Sequence, residues 1–291
     1  MLKRIFSHFP SLDGASFTEV DDSHSSTVYH CALTNGEETF LKIPFTKLKF
    51  SRELEAYQML QGKIPIPELL DYWEGDDELP GVFLLSKLSG HPLQTKDASA
   101  KLAYEVGIVH ASMHSIEVPE KLHAIENKFA DWHAFIEDKF YSFAEDVKGL
   151  IEPSLFKQSM ETFENMKKHL PDPDGPSFIH MDFRPANIIV NGNHVAGIID
   201  FESVRFGSTE IDFTKLYRDF LSFDKHLSRA YKDGYNSIRP LIELDVVLPF
   251  YRFTDAFNSL GWCSRRGMEK HKRFFETNFA ILQEMLLHYN R

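Results

Sequence analysis

Two cysteines, Cys31 and Cys263, are all that 291 residues hold. That excludes a disulfide framework and points to a reducing compartment, the cytoplasm. No run approaches the ~18 apolar residues needed to span a bilayer. Residues 1–10 lack the apolar stretch of a secretory signal. Basic charge is short as well: 32 Lys and Arg stand against 43 Asp and Glu, a formal net charge of −11. Nucleic acid and anionic membranes are therefore disfavoured as partners, and a small cationic molecule suits the balance better. Repeats and low-complexity stretches are missing too. What remains is ordinary for a globular protein, 43% hydrophobic and 26% charged, with 26 Phe to make the core aromatic. Nothing in the composition speaks to oligomeric state.

The first part of the chain reads as strands. Residues 17–22 and 27–33 are β-prone runs joined by Ser23-His24-Ser25-Ser26. Asn35-Gly36 then separates residues 28–33 from 39–43. That dipeptide between apolar strands supplies the positive φ of a tight hairpin turn. Residues 47–61 predict a helix, with Leu54, Tyr57 and Leu60 three apart. Gly62 suits its C-terminal stop, and Pro65 and Pro67 forbid continuation. Residues 69–73 and 82–85 predict two more strands. After Gly90 the periodicity turns helical over 98–116, 132–147, 155–170, 225–236, 244–260 and 266–289. The one β interruption is 187–190 and 195–199, about Asn191-Gly192. The expected architecture is α+β, with a small β-rich lobe over residues 1–88 and a larger, mainly helical lobe over 89–291. Nucleotide sites often lie between such lobes.

The most informative segment is His180-Met181-Asp182-Phe183-Arg184-Pro185-Ala186-Asn187, followed by Ile198-Ile199-Asp200-Phe201-Glu202. The Asn191-Gly192 turn folds the two strands together, so Asn187 and Asp200 become neighbours. Both offer hard oxygen donors of the kind Mg²⁺ prefers. Asp182 stands slightly apart, placed to accept a proton from an attacking hydroxyl. Phosphoryl transfer asks for that equipment, because its demands are positioning and cations where charge builds up.

His-x-Asp-x-x-x-x-Asn followed by Ile-Ile-Asp-Phe-Glu resembles the aminoglycoside phosphotransferase and choline kinase family, which shares the protein-kinase-like fold. The resemblance implies a catalytic base at Asp182 and Mg²⁺ ligands at Asn187 and Asp200. It makes His180 a structural loop residue, and gives Asp212 the task of supporting the catalytic-loop backbone. Met181 stands where protein kinases usually place an Arg, Glu202 where they place a Gly, and no Ala-Pro-Glu follows Asp200. These departures fit the small-molecule branch. Its layout covers nearly the whole chain, but its specific motifs occupy only Lys42, Glu53 and residues 180–202.

Lys42, in Phe40-Leu41-Lys42-Ile43, should be half buried on its strand and in need of an anionic partner. Phosphates of ATP plus a carboxylate would supply one. The resemblance places that carboxylate at Glu53, with Glu55 a rival facing another way. The polar turn holding Ser25 and Ser26 can present N–H groups and hydroxyls to phosphate. By resemblance, the backbone of Ser86 and Leu88 would hold adenine. ATP is the expected donor, with GTP open, and Mg²⁺ the expected metal. His110 and His114, four apart on a helix, match the family's structural helix better than a metal site. For the acceptor, Tyr251, Asp255 and Asn258 form one helical stripe with Trp262 just beyond, and Glu202 lies beside the metal ligand. Carboxylate plus aromatics would suit a cationic or sugar-like molecule.

Together these features predict ATP-dependent phosphorylation of a small-molecule hydroxyl. A catalytically silent nucleotide-binding regulator and a protein kinase are the competing readings.

Overall fold

The computed structural model describes residues 2–20 and 26–289. Helix α1 (Leu2–Phe6) precedes strands β1 (Ser16–Glu19), β2 (Ser26–Ala32) and β3 (Glu38–Pro44). Helix α2 (Lys47–Leu60) leads to β4 (Leu69–Trp73) and β5 (Val82–Ser86). The five strands form one antiparallel sheet in the order β1-β2-β3-β5-β4. Strand alternation gives it two apolar faces. Leu41, Ile43, Val82 and Leu84 pack with Ile5 and Phe9 on one side. Phe83 and Leu85 join Phe50, Tyr57 and Leu60 of α2 on the other. Ser25 and residues 21–22 of the first predicted strand lie outside the described residues.

Strand β6 (His91–Pro92) begins the helical part, which continues through α3 (Ala100–His114), α4 (Trp132–Val147) and α5 (Pro153–Lys167). Strand β7 (Ser177–Ile179) precedes the hairpin β8 (Ile188–Asn191) and β9 (His194–Ile198), and β10 (Arg205–Gly207) pairs back onto β7. Helices α6 (Phe213–Asp219), α7 (Lys225–Asn236), α8 (Leu244–Arg266) and α9 (Lys272–Tyr289) complete the chain. Helices α3 and α7 meet backbone to backbone. A Cβ at Gly107 would sit 2.3 Å from the Tyr231 carbonyl oxygen, and one at Gly234 would sit 2.0 Å from that of Tyr104. The hairpin is tied to the N-terminal region by the Ile198 N–H, which donates to the Pro65 carbonyl at 3.0 Å.

The α+β architecture expected from the sequence is the one the chain adopts. Differences lie in short elements and ends. Helix α8 runs on to Arg266 and α9 starts at Lys272, because Gly267 takes φ +101° between them. Ser99 caps α3, its hydroxyl accepting from the Leu102 N–H at 3.1 Å, so that helix starts later than predicted. Strands β6, β7 and β10 span three residues or fewer, too short to carry a period.

Candidate active site

Lys42 sits on β3, between two residues whose side chains fill the far face of the sheet. It therefore points toward α2, where Glu53 shares the buried stripe with Ala56, Tyr57 and Leu60. The Lys42 ammonium donates to Glu53 Oε1 at 2.8 Å and to Asp200 Oδ1 at 2.7 Å. Lys42 is 6% exposed and Glu53 fully buried. Burial works against the lysine's charge, but Asp200 and Glu53 outweigh it and hold the ammonium well above its ordinary value. Burial pushes the Glu53 carboxyl up to about 7 against the pull of Lys42. Lys42 holds Asp200 below the usual carboxylate range despite burial. Glu55 faces elsewhere. Its carboxylate accepts the N–H groups of His123, Ala124 and Ile125 at 2.8, 2.7 and 2.7 Å, so it fastens the segment between α3 and α4.

The loop before β8 is held from below. Asp212, at the entry to α6, accepts the His180 N–H at 2.5 Å and the Met181 N–H at 2.7 Å. Met181 takes φ +67°, a left-handed conformation costly for a side chain of its size. The His180 ring contacts the Ile199 carbonyl at 3.0 Å, joining the loop to the strand that ends at Asp200. The Ile199 N–H donates to the Asn187 carbonyl at 3.0 Å. The Asn187 amide nitrogen donates to the Asp182 carbonyl at 2.9 Å and to Asp182 Oδ2 at 3.1 Å. Asp182, Asn187 and Asp200 are thus drawn into one cluster. Asp200 itself takes φ +72°.

A cavity of about 610 Å³ opens beside this cluster, lined by Lys139, Asp182, Asp200, Glu202, Asp255 and Trp262 among others. That volume is right for a small organic molecule. Lys215 Nζ lies 2.5 Å from Asp182 Oδ1, and Arg184 Nε lies 3.1 Å from Oδ2. Burial would raise the Asp182 carboxyl, but these two cations hold it below its ordinary value.

The residues expected at the acceptor differ in what they present. Tyr251 is 1% exposed, and its hydroxyl is engaged on both sides. It donates to Glu210 Oε2 at 2.5 Å and accepts from Trp132 Nε1 at 2.9 Å. Asp255 Oδ2 receives Arg218 at 2.5 Å. Glu202 is buried under α2, with Oε1 on Lys49 Nζ at 2.6 Å. Trp262 packs edge-on against His271 and Phe274. At the adenine end, the Ser86 N–H donates to the Glu68 carbonyl at 2.9 Å, so that donor is not available to a base. Ser26 opens β2 opposite Pro44.

The family model described as "Phosphotransferase enzyme family" matches residues 16–243. The chain belongs to that family. Solved structures agree on the fold. The GDP and kanamycin complex of APH(2″)-IIia matches with TM-score 0.78 and 16% identity, covering 99% of this chain and 98% of that one. The gentamicin–APH(2″)-IIa complex matches with TM-score 0.73 and 18% identity, covering 97% of each chain. The macrolide 2′-phosphotransferase MphH from Brachybacterium faecium, as apoenzyme, matches with TM-score 0.73 and 16% identity, again covering 97% of each. No curated protein matches.

Three cations of this phosphotransferase's site escaped the sequence reading. Arg184 lies inside the motif, two residues after Asp182. Lys215 lies three residues after Asp212, one helical turn on, and was findable once Asp212 was assigned. Lys139 sits midway between Phe135 and Phe143 on one stripe of α4, a lone charge on an aromatic face. Asp212 also gathers His110 and His114, whose Nε2 atoms lie 3.9 and 3.4 Å from Oδ2. Their Nδ1 atoms face the hydroxyls of Tyr231 and Tyr235 at 2.6 and 2.8 Å. We assign Nε2–H toward the carboxylate, with Nδ1 accepting from tyrosine, which leaves no lone pair for a metal ion. Burial, with the neighbouring His114, holds His110 down to about 3, so the ring stays neutral.

Proposed function

We propose that this phosphotransferase carries the γ-phosphate of Mg²⁺-bound ATP to a hydroxyl of a small molecule. The observation that carries the proposal is Lys42 held between Glu53 and Asp200, next to an Asn187–Asp182 pair that borders the cavity. In this reading Lys42 braces the nucleotide phosphates, and Glu53 keeps its ammonium aimed. Asn187 and Asp200 hold the metal. Their chemistry fits: the Asn187 amide nitrogen is engaged with Asp182, which turns its oxygen into the available donor, and Asp200 keeps a second carboxylate oxygen beyond the one on Lys42. Mg²⁺ would draw off charge from the β- and γ-phosphate oxygens. Asp182 orients the acceptor hydroxyl and takes its proton. Because its carboxyl is held low by Lys215 and Arg184, it is a weak base, and its contribution is orientation first with proton uptake late. Ser26, at the start of β2, would face the phosphates, and the backbone near Ser86 and Leu88 would take the base. Leu88 packs against Gly197, where an added Cβ would lie 2.7 Å from its side chain.

Residues 201–211 pass directly through β10 toward α6, which leaves no room for a protein-kinase activation segment. All the chemical positions are filled, which weighs against a silent regulator. Cys31 and Cys263 are both free and buried, which supports a reducing compartment such as the cytoplasm. Among the described residues no helix is long and apolar enough to cross a membrane.

The test is nucleoside diphosphate release from ATP or GTP, with and without Mg²⁺. The panel would hold aminoglycosides, macrolides, choline-like amines, amino-acid alcohols and sugars. We expect release that needs Mg²⁺ and rises with at least one acceptor. Tight nucleotide binding with no stimulated release across the panel would point instead to the regulator.

A further inference from the structure

Charges lining the cavity pair off in a revealing way. Asp182 carries Lys215 and Arg184, Asp200 carries Lys42, Glu202 carries Lys49, and Asp255 carries Arg218. Arg205, also in the lining, rests on Glu126 at 3.4 Å. Every carboxylate of the lining therefore already has a cation of this chain on it. One lining charge has no partner: Lys139 makes no hydrogen bond or ion pair among the described residues.

We propose that the acceptor carries an anionic group, a carboxylate or phosphate, that binds the Lys139 ammonium while its hydroxyl lies at Asp182. This rests on the phosphotransferase reading and narrows its substrate. It also departs from the cationic acceptor suggested by net charge, since a polycation would find no unpaired carboxylate here. An unpaired, part-buried ammonium carries a cost: burial together with Lys215 pushes Lys139 down to about 8, although Asp255 and Asp182 pull the other way. An incoming anion would relieve that cost. Two further residues of the lining, Glu202 and Asn258, each keep a buried oxygen, Oε2 and Oδ1, without a partner. Both oxygens are acceptors, so neither supplies a donor that competes with Lys139 for an anion there. The geometry thus describes a hydroxylated small anion.

Two arms test this on the full chain. In the first, the nucleotide site is filled with Mg²⁺ and a non-hydrolysable ATP analogue. Inorganic phosphate and acetate are then titrated as probes while the melting temperature is followed. Wild type should be stabilised by at least one of them, and Lys139→Met should not. Equal shifts in both proteins, or none in wild type, would overturn the proposal. Failure of the analogue itself to bind would count against the phosphotransferase reading instead.

In the second arm, diphosphate release is compared across matched trios, such as gluconate, glucose and glucosamine, with glucose 6-phosphate separating the phosphate source from the carboxylate. The anionic members should be preferred. Lys139→Met should reduce kcat/KM for them about 10- to 100-fold, mainly through KM, the range of one charge-assisted hydrogen bond. Lys139→Arg should recover most of that loss, and Lys139→Glu should turn preference toward the aminated member. A best acceptor that is cationic or neutral, with kcat/KM indifferent to Lys139→Met, would overturn the inference and leave the phosphotransferase reading intact.

Discussion

Asp182→Asn should lower kcat by about 10²- to 10⁴-fold, the usual worth of a positioned proton acceptor, and leave KM for ATP nearly unchanged. The asymmetry follows from the layout. Lys42, Glu53 and Asp200 form a chain of contacts that does not include the Asp182 side chain. Asn187 touches Asp182 through its amide nitrogen at 3.1 Å, and an asparagine there can still accept that bond through its oxygen. What the variant loses is the charge facing Lys215 at 2.5 Å and the ability to take a proton from the acceptor. A loose transition state makes the nucleophile give up its proton late, so a residual rate from orientation by neighbouring groups should survive. Steady-state kinetics with ATP and acceptor varied separately checks this. Full activity would remove Asp182 from the mechanism. A parallel rise in KM for ATP would mean that it holds the nucleotide.

Asp212→Ala should cost about 2–6 kcal/mol of stability, because two backbone N–H groups lose their acceptor at about 1–3 kcal/mol each. With a protein of this size that is a fall in Tm of roughly 3–10 °C. The carboxylate accepts two backbone N–H groups of the catalytic loop, one buried and one part-buried, and alanine would leave both without that partner. Met181 would lose the bond that supports its positive φ. Activity should fall as well, because the same loop carries Asp182. The sign of the pH dependence is fixed too. The facing Nε2–H groups of His110 and His114, of which only His114 is within hydrogen-bond reach at 3.4 Å, hold the Asp212 carboxyl far below its ordinary value of 3.8 against the effect of burial. Its stabilising effect is therefore fully present above pH 3.8 and disappears only as pH falls below that. His110 acts in the same direction: it is neutral when folded but protonated below about 6.5 when unfolded, so its share declines as pH drops under that value. Thermal melts of wild type, Asp212→Ala and Asp212→Asn at neutral pH decide the matter. A change in Tm of a degree or two for the alanine variant would contradict the anchoring role.

Much of this was legible in the sequence, for local reasons. The Asn191-Gly192 turn fixes the hairpin, and the hairpin fixes Asn187 against the residue before Asp200. Strand period places Lys42 away from Leu41 and Ile43, and helical period separates Glu53 from Glu55. The hydroxyl of Tyr251 was not legible. Its stripe on α8 is correct, but its partners Glu210 and Trp132 come from elements far away in sequence. The same holds for the ion pairs on Asp255 and Glu202, which join α6 to α8 and α2 to the segment after β9. Side-chain period tells which residues share a face. Which carboxylate on that face keeps its charge available depends on tertiary pairing, and that decided the chemistry of the cavity.

In the proposed site, Asn187 and Asp200 would jointly bind the metal of a nucleoside triphosphate braced by Lys42. A crystal structure with Mg²⁺ and a non-hydrolysable ATP analogue tests it directly. The ion should touch the Asn187 amide oxygen and the Asp200 carboxylate, with Lys42 on the phosphates. Nucleotide bound with its metal held by other side chains, or bound away from Lys42, would contradict it.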